Sequence, residues 1–175
     1  IISTTYRNSY LAIYYCNLIT DHFKYGESAI KDRVISEARV MRAWLHMTLA
    51  IGWGTPPLID HVLTGADKPS NFEGGQKGLL EWCAKECEEA AKYLDYRKGA
   101  SDKEAAVKVT KGFAQAVQGK ALLYAGEYEK AMVPLKEVMT NGGYSLVPGE
   151  RMQELFHIEG DGNEEKVFEA SVVNN

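Results

Sequence analysis

The sequence lacks any apolar run near the ~18 residues that a membrane-crossing helix needs. It also lacks an excess of basic charge: 20 Lys and Arg stand against 24 Asp and Glu, for a net charge of −4. That disfavours nucleic acid as a partner, because neutralising phosphates takes a basic face. Cysteine is scarce. Cys16, Cys83 and Cys87 cannot all pair with one another, and the last two are spaced i,i+4. That spacing suits one helix face and is not the C-x-x-C of redox or zinc sites. Two readings stay open, buried free thiols at a helix interface or a disulfide or reactive thiol. The four histidines, His22, His46, His61 and His157, show neither H-E-x-x-H nor another paired ligand spacing. No metal and no cofactor is expected, and no catalytic constellation stands out. Gly74 to Gly78 lacks the Lys-Ser/Thr pair of a phosphate loop and reads as a flexible loop. The chain begins at Ile1 with no basic-then-apolar leader, so the expectation is a processed or cut start with any targeting signal outside this sequence.

What is present is an ordinary globular composition. Hydrophobic residues are 45% and charged ones 25% of 175 residues, so a single domain over 1–175 with a real core is expected. Helical periodicity dominates. A first helix is expected from about Thr4 to Phe23, with Tyr6, Tyr10, Ile13, Tyr14, Asn17 and Asp21 on one stripe. Asn17 interrupts that apolar stripe. A buried amide needs partners, so Asn17 either bonds a neighbouring backbone loop or touches ligand. A second helix runs from Asp32 or Ser36 to Ile51 and is stopped by Gly52-Trp53-Gly54-Thr55-Pro56-Pro57. A long Gly/Pro/Asp-rich loop follows from Asp60 to Gly78. A third helix, Gln76 to Leu94, buries Leu80, Cys83, Ala84, Cys87, Ala91 and Leu94 and solvates Glu81, Lys85, Glu86, Glu88, Glu89 and Lys92. A fourth helix spans Glu104 to Ala125. A fifth spans Tyr128 to Met139, kinked at Pro134. Tyr144 to Val147 reads as a short extended piece and Val167 to Val173 as a strand whose partner lies outside this chain. The predicted fold class is all-α, a helical-hairpin array with one or two short strands at its C-terminal end.

The stretch from Gly119 to Ala131 resembles a tetratricopeptide helix–turn–helix. Gly119 and Ala131, twelve residues apart, supply small residues for a close crossing. Gly126 supplies the turn and Tyr128 fills the gap between helices; Gln115 stands where that repeat has a large aromatic. Other segments resemble the SusD/RagB family of outer-membrane nutrient-binding lipoproteins. That family typically reads E-A-R-F-x-R-A and then Y-G-D-V-P-L. Glu37, Ala38, Arg39, Arg42 and Ala43 match, as do Gly54, Pro57 and Leu58. Thr55 stands at the usual Asp and Pro56 at the usual Val. Val109 to Gly112, Gly143 to Pro148, Glu154-Leu155-Phe156 and Asn163 to Glu169 resemble later segments of the family in order and spacing, and the Asn17 helix fits its Y…I…A-N pattern.

The resemblance implies a non-enzymatic, surface-exposed outer-membrane protein, lipid-anchored outside this chain. It would capture oligosaccharide or peptide and pass it to a TonB-dependent transporter. This chain would be the helical-repeat part of a longer protein. Carbohydrate capture uses flat aromatic faces. Trp53 is the leading candidate for ligand contact, with Tyr6 and Asn8 behind it; the alternative for Trp53, a cap on the hairpin core, weighs more heavily. Two competing classes stay open: a generic tetratricopeptide scaffold for protein docking, and a helical glycosidase, which needs two carboxylates facing across a cleft.

Overall fold

The computed structural model describes residues 2–170, and within them the chain is all-helical. Five α-helices follow one another: α1 (Ile2–His22), α2 (Ala29–Trp53), α3 (Gly75–Ala90), α4 (Lys111–Tyr124) and α5 (Tyr128–Asn141). Each packs against its neighbours in sequence, α1 on α2, α2 on α3, α3 on α4 and α4 on α5. Cross-contacts fix antiparallel registers. Gln76 at the start of α3 donates to the Ala50 carbonyl near the end of α2, while Glu86 further along α3 meets Arg39 and Arg42 further back on α2.

The main core lies among α2, α3, α4 and the start of α5, with Met47, Leu79, Leu80, Cys83, Cys87, Val117, Ala121 and Ala131 among its buried residues. Cys83 and Cys87 are buried free thiols, and burial pushes both thiol pKa values up, which keeps them protonated. A second, smaller cluster of Ile13, Leu49 and Ile59 joins α1 to α2 and to the loop after α2.

Helix ends depart from expectation for local reasons. α2 starts at Ala29 because the Ser28 hydroxyl accepts the Lys31 amide and caps it. It ends at Trp53, beyond Ile51: Gly52 stays helical, and the turn comes at Gly54 with φ of +79°. α4 does not reach back to Glu104. Thr110 caps it by accepting the Phe113 amide, and Lys103–Val107 forms a separate 3₁₀ turn. α3 gives way to a 3₁₀ turn at Ala91–Tyr93. Pro134 lies inside α5.

Where α4 meets α5, a Cβ on Gly119 would sit 2.5 Å from the Leu135 Cγ, so only glycine admits that crossing. Gly126 makes the turn with φ of +80°. Tyr128, expected between the helices, is instead 66% exposed at the first turn of α5; Leu135 occupies the crossing. Gln115, at the aromatic position of the repeat, is buried and accepts from the Tyr96 hydroxyl at 3.0 Å.

The expected strands are not formed among the described residues. Tyr144–Val147 and Val167–Ala170 are irregular, and Ser171–Val173 lies outside the described residues. Single bonds tie these stretches down: the Ser145 amide to the Glu164 carbonyl at 3.0 Å, and the Glu169 amide to the Ala106 carbonyl at 2.8 Å. The organiser is buried Arg97, which donates to the carbonyls of Gly99, Ala100, Gly162, Asn163 and Lys166. An arginine that collects backbone carbonyls in this way replaces a strand ladder. Phe168 closes the segment onto α4 by stacking on Phe113, with ring centroids 4.4 Å apart. No helix among the described residues is long and apolar enough to cross a membrane.

Candidate functional site

One stripe of α1 buttons down the loop that follows α2. The Tyr10 hydroxyl donates to the Pro57 carbonyl at 2.7 Å. Asn17 Nδ2 donates to the carbonyls of Ile59 and His61 at 3.1 and 2.9 Å. The Asp21 carboxylate accepts the Val62 amide at 2.8 Å. From Tyr10 to Asp21 a helix advances about 17 Å, and extended chain from Pro57 to Val62 also covers about 17 Å. Equal lengths let one helix face hold the segment at successive points. The amide of Asn17 thus bonds a backbone loop, the first of the two roles open for it.

Beneath this seam lies a buried charge network. Arg42, 5% exposed, donates through Nη1 to Asn17 Oδ1, Thr20 Oγ1 and the Asp60 carbonyl, and through Nη2 to Glu86 at 2.8 Å. Arg39 makes a two-point contact with the same carboxylate, at 3.0 and 2.7 Å. Glu86 was expected on the solvated face of α3; it points into the α2–α3 seam instead, because two arginines one helical turn apart meet it there. Burial works against its charge, but the hydrogen bonds from Arg39 and Arg42 prevail and hold its pKa below the ordinary value. His46, one turn beyond Arg42, is fully buried, and its Nε2 donates to the Ile59 carbonyl. Burial pushes its pKa down to about 4, so it is neutral and Nδ1 is a bare acceptor.

The pinned loop walls two cavities. One, of about 310 Å³, is an apolar groove lined by Tyr6, Tyr10, Tyr14, Pro57, Leu63 and Pro69. The hydroxyl of Tyr10 and the amide of Asn17 in its wall are already engaged. Burial raises the Tyr10 pKa, and the phenol stays protonated. The other, of about 400 Å³, is more polar and takes its walls from residues 58–73, with Lys68, Ser70, Asn71 and Glu73 around Phe72. The side chains of those four polar residues make no hydrogen bond or ion pair with other described residues. No group of three or more potential metal ligands is found among the described residues.

The sequence-predicted contacts fall unequally. Trp53 ends α2 at 37% exposure and meets Tyr6 edge-on, ring centroids 5.3 Å apart; Tyr6 meets Tyr10 at 5.0 Å. Tyr6 therefore lines the apolar groove, and Trp53 touches it only through Tyr6, lining neither cavity itself. Asn8 is exposed and not part of it, since two residues turn a helix by about 200°. The polar cavity was missed by the sequence reading. Its signal was the loop composition of Asp60 to Gly78, which shows length and polarity but not which side chains converge.

No protein-family model matches the sequence, and no curated protein does. Solved structures do. A SusD-like carbohydrate binding protein from Bacteroides fragilis superposes with a TM-score of 0.80 at 27% identity, covering 95% of this chain and 32% of its own. The chain is similar in fold to SusD-like proteins. A second SusD-like protein from the same species gives a TM-score of 0.82 at 23% identity, over 98% of this chain and 34% of that one. Surface glycan-binding protein A from Bacteroides thetaiotaomicron, solved in complex with laminarihexaose, gives 0.74 at 17% identity, over 94% and 34%. This chain spans about a third of the length of those structures. Within it, the E-A-R-x-x-R-A match has a physical reading: both of its arginines close on Glu86, and Arg42 carries that anchor to the loop that walls the cavities.

Proposed function

We propose that this chain is the helical scaffold, and one wall of the ligand site, of a longer non-enzymatic SusD-like protein that captures oligosaccharide at the outer membrane. The observation that carries the reading is the polar cavity of the pinned loop. An aromatic ring, Phe72, stands among unpartnered planar and hydroxyl side chains, Asn71 and Ser70, with Lys68 and Glu73 beside them. Saccharides are held by that combination of apolar ring faces and directional hydrogen bonds. Trp53 and Tyr6 extend the apolar part of the surface, and Asn8 is a more distant contact. The laminarihexaose complex of a structural neighbour supports a glycan as the ligand class. Structural neighbours that are carbohydrate- and glycan-binding proteins support binding over hydrolysis.

In the same proposal the α4–α5 pair, with Gly119, Gly126 and buried Ala131, is a tetratricopeptide-like hairpin, residues 1–175 form one domain, and Tyr128 lies on its open face. The sequence resemblance supports a lipid anchor outside this chain and a TonB-dependent transporter as partner. Calorimetric titration of the longer protein with a glycan panel that includes laminarihexaose tests the reading. Binding that weakens tenfold or more in Asn71→Ala and in Trp53→Ala, at unchanged melting temperature, supports it. Absence of binding to every glycan, or affinities untouched by both variants, refutes the site.

A further inference from the structure

His61 stands where the two cavities meet and lines both. Its ring is held at both nitrogens. Nδ1 lies 2.9 Å from a carboxylate oxygen of Asp60, and Nε2 lies 3.4 Å from one of Asp67. An ionised carboxylate only accepts, and a neutral imidazole has a single N–H to give. Both contacts are therefore hydrogen bonds only when the ring is imidazolium. The other Asp67 oxygen accepts the Thr64 amide at 2.6 Å and the Thr64 hydroxyl at 2.7 Å. Protonated His61 thus joins Asp60, at the pinned part of the loop, to the Thr64–Asp67 turn at its free part.

We propose that His61 is a protonation-dependent clasp that fixes the wall between the apolar groove and the polar cavity, and so positions the loop for its saccharide. The inference rests on the reading of these cavities as the ligand site. The groups around the ring are accounted for element by element. From its own loop come Asp60, Asp67, Lys68 and Glu73. From α1, Asn17 holds the His61 carbonyl, Asp21 holds the next amide and Tyr14 shares the groove wall. From α2, Arg42 reaches the Asp60 carbonyl but not its carboxylate. The carboxylates that touch the ring, Asp60 first and Asp67 second, raise its pKa above the ordinary 6.5. Asp67 stays ionised throughout, because the Thr64 amide and hydroxyl, then His61, hold its own pKa below 3.8. The sign follows: the clasp is closed on the acid side and opens as pH rises through the raised histidine value.

Proton NMR of the ligand-free 175-residue chain, from about pH 5 to about pH 9, reads the clasp directly. The His61 ring should titrate with a midpoint above 6.5, and the Thr64 and Ala66 amides should shift with that same midpoint. Asp60→Asn should bring the midpoint down toward 6.5 while leaving the Thr64–Asp67 bonds in place. A midpoint at or below 6.5, no response to Asp60→Asn, or loop amides that ignore the ring would overturn the proposal. These readouts need no ligand, so failure of the glycan reading leaves them standing. In the longer protein, saccharide affinity should fall several-fold as pH rises through the midpoint and should be flat in His61→Gln. Glycan binding that does not vary with pH in the wild type would remove the clasp and keep the site.

Discussion

Glu86→Gln is the substitution that most directly tests the buried network. It keeps the shape of the side chain and removes the charge that Arg39 and Arg42 share. Arg42 is nearly inaccessible, and the other three groups it reaches, the Asn17 amide oxygen, the Thr20 hydroxyl and the Asp60 carbonyl, are neutral. Breaking a buried pair from one side costs about 3–5 kcal/mol, because the other charge is left uncompensated. The lower end applies here, about 3 kcal/mol, since three neutral acceptors still hold Arg42 and the glutamine oxygen still accepts one hydrogen bond. For a chain of this length each kcal/mol moves the melting temperature by about 2–4 °C, so a fall of about 6–12 °C is expected at neutral pH. The pH dependence supplies a second check. Glu86 has a lowered folded-state pKa, so its contribution is present above the unfolded value near 4.5 and lost as pH falls through the lower folded value. Melting curves by circular dichroism should therefore show the gap between wild type and variant closing in acid. A melting temperature within error of wild type at neutral pH, or a gap of constant size on acidification, would refute the account of Glu86 as a buried, charged anchor.

Asn17→Ala removes the amide that holds two loop carbonyls and Arg42; a loss of about 1–3 kcal/mol is expected, with hydrogen exchange rising at residues 59–62 before the rest of the chain. Ala131→Leu adds volume at a fully packed position and should destabilise by about 1–3 kcal/mol in urea unfolding; an unchanged midpoint would mean that the α4–α5 register has slack. Trp53→Phe keeps an aromatic against Tyr6 and should preserve most glycan affinity that Trp53→Ala loses, measured by calorimetry on the longer protein. On the proposal that a TonB-dependent transporter is the partner, Glu88→Lys with Glu89→Lys reverses charge on α3 and should weaken recovery of that transporter in a pull-down while leaving sugar binding intact.

The helical stripes were legible in the residue order, because a helix face is a local property; helix ends such as the start of α4 were less so. Residues three and four apart share a side whatever the rest of the chain does, so the buried stripe of α3, with Cys83 and Cys87 on it, and the α1 stripe from Tyr6 to Asp21 were legible from spacing; that both cysteines are free thiols is shown by the structure. That Asn17 needs a partner was legible too, since a buried amide must be satisfied; that the partner is the loop backbone came from the fold. What faces what depended on long-range packing. Glu86 sits among glutamates and lysines in the sequence and looks solvated; only the antiparallel register of α2 and α3 brings Arg39 and Arg42 to it. The strand-like run at Val167 is β-prone in composition, yet strands need partners, and here Arg97 collects the carbonyls while Phe168 stacks on Phe113. The polar cavity joins residues 58–73 of one loop, whose first part α1 holds by its backbone and whose Phe72 packs on the main core. Local periodicity sets which side chains share a face, and long-range registry sets which faces meet. The candidate site belongs to the second.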